Sequence, residues 1–313
     1  LKFGVWGLEL FTMRFVVASA AVVLLFAVNR QAHSVCSNSA VDEMHTVVEG
    51  NVSSQHTLYF VHGFPDSEAV WDDQMATLGG KYRLVRARLP GFDGRCTLPW
   101  GYDLDRLLFL LTASVDKHRK RGTVSVIGHD VGAWLAMLAH KEDVRLVDRM
   151  VTVQVGDPVW TTPFQGYFAA YQAWLALAYL IGGPLGNMMN MVYALASSHP
   201  DPFHVAPSTA NYVAFYILRD FDWIRGTLIR YRPELPTLFV YSTSGWPKFT
   251  HHYGTPWTTR VTSSAAGHSS VAHLKSKGDA RYSYWLMASQ AQEVTSRLSK
   301  WLAATDAGIL QRE

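Results

Sequence analysis

Apolar positions along the chain fall into two rhythms. Short, near-continuous apolar runs recur at Thr57 to Val61, Arg83 to Val85, Thr123 to Ile127, Arg149 to Val155 and Thr237 to Tyr241. Runs of this length, rich in Val, Ile and Leu and closed by Gly, Pro or Asp, predict strands buried on both faces. Between them lie helical patterns: one opens after Asp103 and ends in the cations Lys117 to Arg121, and another runs from Ala133 to His140. The β-branched segment Thr259 to Ser263 predicts a last strand, with an amphipathic helix following His268. Strands alternating with helices predict an α/β fold with a mostly parallel sheet flanked by helices. One long interruption stands out. From Phe168 to Ile181 the chain is apolar almost all round a helix, Gly182-Gly183-Pro184 breaks it, and Met188 to Ala196 resumes it. That interruption divides the chain into 41–157, an insertion over 158–235, and 236–313.

Composition narrows the function classes. A chain of 313 residues with 49% hydrophobic and 17% charged residues suits one buried core plus a lid. A net charge of +3 without a basic, aromatic-interleaved stripe gives no reason to expect a nucleic-acid partner. The cations Lys117 to Arg121 sit where a helix C-terminus favours positive charge. Two cysteines, Cys36 and Cys96, allow one bridge that a domain of this size does not need, and neither has neighbours suggesting a metal site. Residues 1–40 read as a targeting segment with a short linker: Met13-Arg14 precede the 14-residue apolar run Phe15 to Val28, and Ala32-His33-Ser34 offers a small-residue cleavage site. That run is shorter than the roughly 20 residues of a membrane span. Phe3 to Phe11 is apolar too, so a retained signal anchor and a cleaved signal peptide both stand. Asn51-Val52-Ser53 is a glycosylation acceptor in keeping with the secretory pathway, whether the protein is membrane-anchored or secreted.

The chemistry centres on Gly128-His-Asp-Val-Gly-Ala133. A valine-rich strand leads in and an alanine-rich helix leads out, the context of a strand-to-helix elbow that presents its central residue in a strained conformation. That residue is Asp130. A carboxylate attacking an acyl carbonyl would give an anhydride, whereas attack on a saturated carbon bearing an epoxide oxygen or a halide gives an ester that water can cleave.

Upstream, directly after the first apolar strand, stands His62-Gly-Phe-Pro-Asp66. With Leu89-Pro-Gly-Phe92, the GHDVGA elbow, an aromatic insertion and a late Gly267-His268, this order resembles the α/β-hydrolase superfamily, in its epoxide hydrolase and haloalkane dehalogenase branch, from about Val41 to the C-terminus. The resemblance implies the α/β-hydrolase fold with a helical cap over 158–235, inserted after the strand ending near Asp157. It implies an oxyanion hole from the N–H groups of Phe64 and Val131, on a loop shaped by His62, Gly63 and Pro65. It calls for no cofactor and no metal.

The resemblance also implies a histidine base after the last strand, here His268. The acid that would orient it has no candidate in the loop Ser242 to His252, which lacks Asp and Glu. Asp157, in Gly156-Asp157-Pro158, is the alternative. Epoxide opening further requires cap tyrosines to protonate the leaving oxygen. The insertion holds Tyr167, Tyr171, Tyr179, Tyr193, Tyr212 and Tyr216, of which spacing selects Tyr171 and Tyr216. Val131 and Phe64, beside the nucleophile, carry no side-chain donor for a halide, and that favours an epoxide over a haloalkane. A large apolar cap implies an apolar small-molecule substrate and could also rest on a bilayer that stores one. A non-catalytic binding protein of the same fold remains the rival from another class.

Overall fold

The computed structural model describes residues 42–94, 100–156, 162–228, 231–242, 255–275 and 284–310. Seven strands form one sheet: β1 His45–Gly50, β2 His56–Val61, β3 Arg83–Arg88, β4 Thr123–His129, β5 Arg149–Val153, β6 Thr237–Tyr241 and β7 Ser270–His273. Their order is β1-β3-β2-β4-β5-β6-β7. Only the edge pair β1 and β3 is antiparallel; the other pairings are parallel. The near-continuous apolar strands have the reason the sequence suggests, since alternate residues serve two cores. Tyr59, Val61, Val124 and Val126 pack on one face, while Leu58, Phe60, Ile127 and Val151 pack on the other.

Helices cover both faces. In chain order they are α1 Asp72–Leu78, α2 Leu104–Arg119, α3 Val131–Glu142, α4 Thr162–Ile181, α5 Gly183–Ala196, α6 Tyr212–Arg219, α7 Phe221–Leu228, α8 Thr255–Thr262, α9 Leu286–Ser289 and α10 Ala291–Leu310. The start of α2 follows from its sequence. Asp103 accepts a bond from the Arg106 N–H at 2.9 Å, and Lys117, His118 and Arg119 close the helix where its dipole favours cations.

Four helices, α4 to α7, lie between β5 and β6. No charged residue occurs from 158 to 200. The exposed residues of α4 and α5 include Trp174, Leu177, Leu185, Met188, Val192 and Leu195. No described helix is long and apolar enough to cross a membrane. The N-terminal segment, Cys36, Cys96 and Asp157 lie outside the described residues.

One element differs from expectation. The segment Thr259 to Ser263 is not a strand but the end of α8 and the turn after it; the last strand is β7. The β-branched residues favour a strand locally, but Trp257 and Val261, four apart, make a fully buried helical stripe. Trp257 fills the space beside Gly156, where a Cβ would come within 2.1 Å of its ring, and meets Phe239 edge-on. Tertiary packing therefore overrides β propensity.

Two histidines, His118 buried and His56 half-buried, make the fold acid-sensitive. His118 accepts from Arg83 at 2.8 Å through Nδ1, and burial, with Arg83 beside it, pushes its pKa down to about 4. His56 is likewise pushed to about 4, by burial and then Arg149, although Asp306 lies 3.3 Å from its Nδ1 and pulls the other way. Both rings are neutral in the fold, while the unfolded chain takes up these protons near pH 6.5. Stability is therefore full above about pH 6.5 and falls as pH drops toward 4. Urea midpoints measured across that range should decline with acidity; a flat profile would show that neither ring is held neutral.

Candidate active site

The residues that bring Asp130 to the surface of the core are small because the backbones nearly touch. A Cβ on Gly132 would lie 2.4 Å from the Val61 carbonyl oxygen, and one on Gly63 would lie 2.3 Å from the Asp130 Cβ. Between β4 and α3, Asp130 takes φ 53° and ψ −124°, a strained conformation for a residue with a side chain. The sequence-predicted elbow is thus present in its geometry. His62 is fully buried and holds the preceding loop in shape: its Nδ1 meets the Gly63 carbonyl at 3.0 Å, and its Nε2 accepts from the Leu89 N–H at 3.1 Å. One ring so joins the HGFP and LPGF segments, and burial keeps it from protonating readily. The Phe64–Pro65 peptide is cis.

Two donors hold the Asp130 carboxylate. The Phe64 N–H donates to Oδ1 at 3.1 Å, and the Tyr284 hydroxyl donates to Oδ2 at 2.5 Å. Val131, the first residue of α3, lines the same pocket, and first-turn N–H groups lack partners within their own helix. Above the carboxylate is a pocket of about 410 Å³, part of it open to solvent, walled by Tyr171, Leu175 and Tyr193 of the insertion and by Val213, Ala214 and Ile217 of α6. Burial raises the pKa of the Tyr171 and Tyr193 phenols well above the usual value, with Asp130 adding to the effect in both. Both are therefore neutral hydrogen-bond donors. Gln172 also lines the pocket, and its side-chain oxygen is buried with no partner among the described residues.

Two sequence-predicted assignments change. His268 is not at the site. It is exposed, lies in the turn entering β7, and its carbonyl accepts from Trp301 Nε1 at 2.7 Å. Because β7 runs parallel to β6, β5 and β4, its N-terminal end lies at the edge of the sheet opposite Asp130, which follows the C-terminal end of β4. The error descends from the misplaced last strand. His273 does end β7, but it is exposed, stacks on Tyr241 at 4.8 Å, and stands three strands from β4, about 14 Å at ordinary strand spacing. Tyr284, two residues before α9, stands beside Asp130 instead. Tyr216 does not line the pocket: its ring packs under the Arg219 guanidinium at 4.5 Å, and the charges acting on it are those of Asp103, Arg219 and Asp220. Tyr193 of α5, stacked on Tyr171 of α4 with ring centroids 5.9 Å apart, lines the pocket that Tyr216 does not. Asp157 lies outside the described residues.

A buried network sets Tyr284 in position. Asp66 accepts from Trp285 Nε1 at 3.0 Å and pairs with His199 Nε2 at 2.9 Å; His199 Nδ1 in turn accepts from the Asp201 N–H at 3.0 Å. His129, fully buried beside the elbow, reaches the Tyr284 carbonyl through Nε2 at 3.2 Å. His199 and Tyr284 carry no motif of their own, whereas Asp66 closes the HGFPD run. The available signal for Tyr284 was its place just before the C-terminal helices. Among the described residues, no group of His, Cys, Asp and Glu could hold a metal ion.

Solved structures similar in fold include Epoxide Hydrolase A from Mycobacterium thermoresistibile, 18% identical, with a TM-score of 0.58 over 85% of this chain and 98% of that one. A thermophilic esterase from Thermogutta terrifontis is 13% identical, with a TM-score of 0.60 over 86% and 97%. The enol-lactonase from Burkholderia xenovorans is 14% identical, with a TM-score of 0.56 over 83% and 96%. No curated protein sequence matches the chain. At such identities these likenesses show the fold, and they span several chemistries. The family model described as the alpha/beta hydrolase family matches residues 58–307, four-fifths of the chain, and with the seven-stranded sheet and the strained elbow at Asp130 it shows that this chain belongs to that family.

Proposed function

We propose that this alpha/beta hydrolase acts on epoxides of apolar molecules, with Asp130 as the nucleophile. The observation that carries the reading is the pairing of a carboxylate on the elbow with two half-buried, neutral tyrosines, Tyr171 and Tyr193, in the wall of the same apolar pocket. Attack by Asp130 on an epoxide carbon forms a carbon–oxygen bond, breaks the ring carbon–oxygen bond and leaves an alkoxide on the side away from the nucleophile. Tyr171 or Tyr193 protonates that oxygen from the cap, and the phenolate regains its proton from solvent. The product of this step is a hydroxyalkyl ester of Asp130. When water attacks the ester, the charge that develops on Oδ1 meets the Phe64 N–H.

The rival chemistries fit less well. A haloalkane needs side-chain donors around the leaving halide, and the described residues lining the pocket include no Trp or Asn. An ester substrate would leave an anhydride on Asp130. The outward apolar face of α4 and α5 is in keeping with a lipophilic substrate held in a membrane or another apolar store.

Single-turnover reactions of purified protein with a lipophilic epoxide, a haloalkane and an activated ester test the reading. Alkylation of Asp130 by the epoxide alone is the expected result, and halide release would overturn it. Tyr171→Phe and Tyr193→Phe should each slow alkylation about 10²-fold, as for one lost proton donor, while Tyr216→Phe leaves the rate unchanged. A rate that responds to Tyr216 instead would refute this placement of the donors.

A further inference from the structure

We infer that Tyr284 is a further catalytic residue, whose hydroxyl protonates the oxygen that leaves Asp130 with the diol when the ester is cleaved. This rests on the proposed attack by Asp130 and names the acid that its ester requires. Tyr284 lines the pocket and is buried, and its hydroxyl already donates to Asp130 Oδ2 at 2.5 Å.

The two oxygens of Asp130 have donors of different kinds. Oδ1 is held by the Phe64 N–H at 3.1 Å, and Oδ2 by the Tyr284 hydroxyl. A backbone N–H stabilises charge but keeps its proton, which suits the oxygen that stays on the protein as the ester carbonyl. A phenol can give its proton up, which suits the oxygen that departs. Oδ2 is therefore the attacking atom. An ionised carboxylate oxygen has two acceptor positions, so one lone pair forms the bond to the epoxide carbon while the other keeps the hydrogen bond from Tyr284.

In cleavage, water adds to the Asp130 carboxyl carbon and gives one proton to a base or to solvent, and the negative charge gathers on Oδ1 under the Phe64 N–H. The bond from that carbon to Oδ2 then breaks, while the bond from Oδ2 to the substrate carbon stays, so Oδ2 leaves as an alkoxide of the diol. Tyr284 passes its proton to it. An alkoxide is a far stronger base than the phenolate of a group with an ordinary pKa of about 10, so the transfer runs downhill. The carboxyl group left on Asp130 carries the second proton of the water and returns it to the phenolate, which restores the starting pair. Each oxygen of the diol thus has its own tyrosine: Tyr171 or Tyr193 of the insertion for the epoxide oxygen, and Tyr284 of the core for the one from Asp130. The phenol is anchored for this task. His129 Nε2 donates to the Tyr284 carbonyl at 3.2 Å, the Tyr284 ring lies 5.0 Å from that of His129 and 5.2 Å from that of Trp285, and Trp285 is tied to Asp66 at 3.0 Å.

The test is to mix wild type and Tyr284→Phe with styrene oxide and follow the adduct on Asp130, by intact mass, together with the diol. In the variant, decay of the adduct to diol should slow by about 10²-fold or more, the usual value of a positioned acid, while adduct formation slows by less than about tenfold because the Phe64 N–H still holds the carboxylate. The adduct therefore accumulates. Lost packing alone would slow both steps together, and that outcome, like decay at the wild-type rate, would overturn the inference and leave Asp130 as nucleophile. So would a wild-type adduct that yields no diol. A second measurement keeps the hydroxyl and stands if the phenylalanine variant does not fold: with difluorotyrosine at position 284, nearly isosteric and ionising near neutral pH, adduct decay should slow as pH rises through that ionisation. Decay that ignores it would overturn the role of the proton. Neither adduct nor diol from the wild type would overturn the nucleophile itself and this inference with it.

Discussion

Asp130→Asn loses alkylation by a lipophilic epoxide by about 10⁴-fold or more, and the protein remains folded. An amide has nearly the shape of a carboxylate but does not attack carbon. The local bonding shows why the fold tolerates it. The amide oxygen can take the place of Oδ1 under the Phe64 N–H, and the amide N–H₂ then faces the Tyr284 oxygen, whose hydroxyl can accept as well as donate. The strained backbone at Asp130 suits asparagine too, since its short polar side chain tolerates positive φ. Circular dichroism and urea midpoints close to those of the wild type, with no mass gain from styrene oxide, would meet the expectation. Labelling at an undiminished rate would remove Asp130 from the chemistry.

The elbow was legible because its signal is local: glycines at 128 and 132, a strand before and a helix after. So were the HGFP loop and the five strands whose apolar runs are continuous. What the sequence concealed depends on contacts far apart in the chain. Thr259 to Ser263 looks like a strand until Trp257 and Val261 are seen to share one buried helical face, and that single misreading moved the base to the wrong end of the sheet. Tyr284 is 154 residues from Asp130, in a segment whose spacing to the elbow follows no period. The cap tyrosines show the same limit. Six were visible, but which of them face the pocket is set by how α4 packs on α5 and α6, and spacing from the nucleophile does not encode it.

Asp66→Ala is expected to destabilise the protein by about 3 kcal/mol, read as a fall in the urea midpoint. Asp66 is buried, and its two oxygens serve Trp285 Nε1 and His199 Nε2, side chains from the C-terminal segment and from the loop after α5. Truncation removes two bonds to a charged acceptor and leaves two buried N–H groups without partners, and the second effect is the larger. The loss should exceed that of a surface aspartate such as Asp73 by several-fold. Asp66→Asn, which keeps an acceptor, should recover part of it. A midpoint within error of the wild type would show that the network contributes nothing to holding the C-terminal segment on the core.

The loop carrying Phe64 and Pro65 faces two ways within two residues. The Phe64 N–H holds the Asp130 carboxylate, and the Pro65 carbonyl accepts from the Ala206 N–H of the insertion at 2.7 Å. Any shift of the insertion that pulls on Ala206 is therefore transmitted through one peptide unit to the donor that polarises Asp130. The insertion and the elbow carboxylate are in this way coupled mechanically through a single loop, without any side chain passing between them.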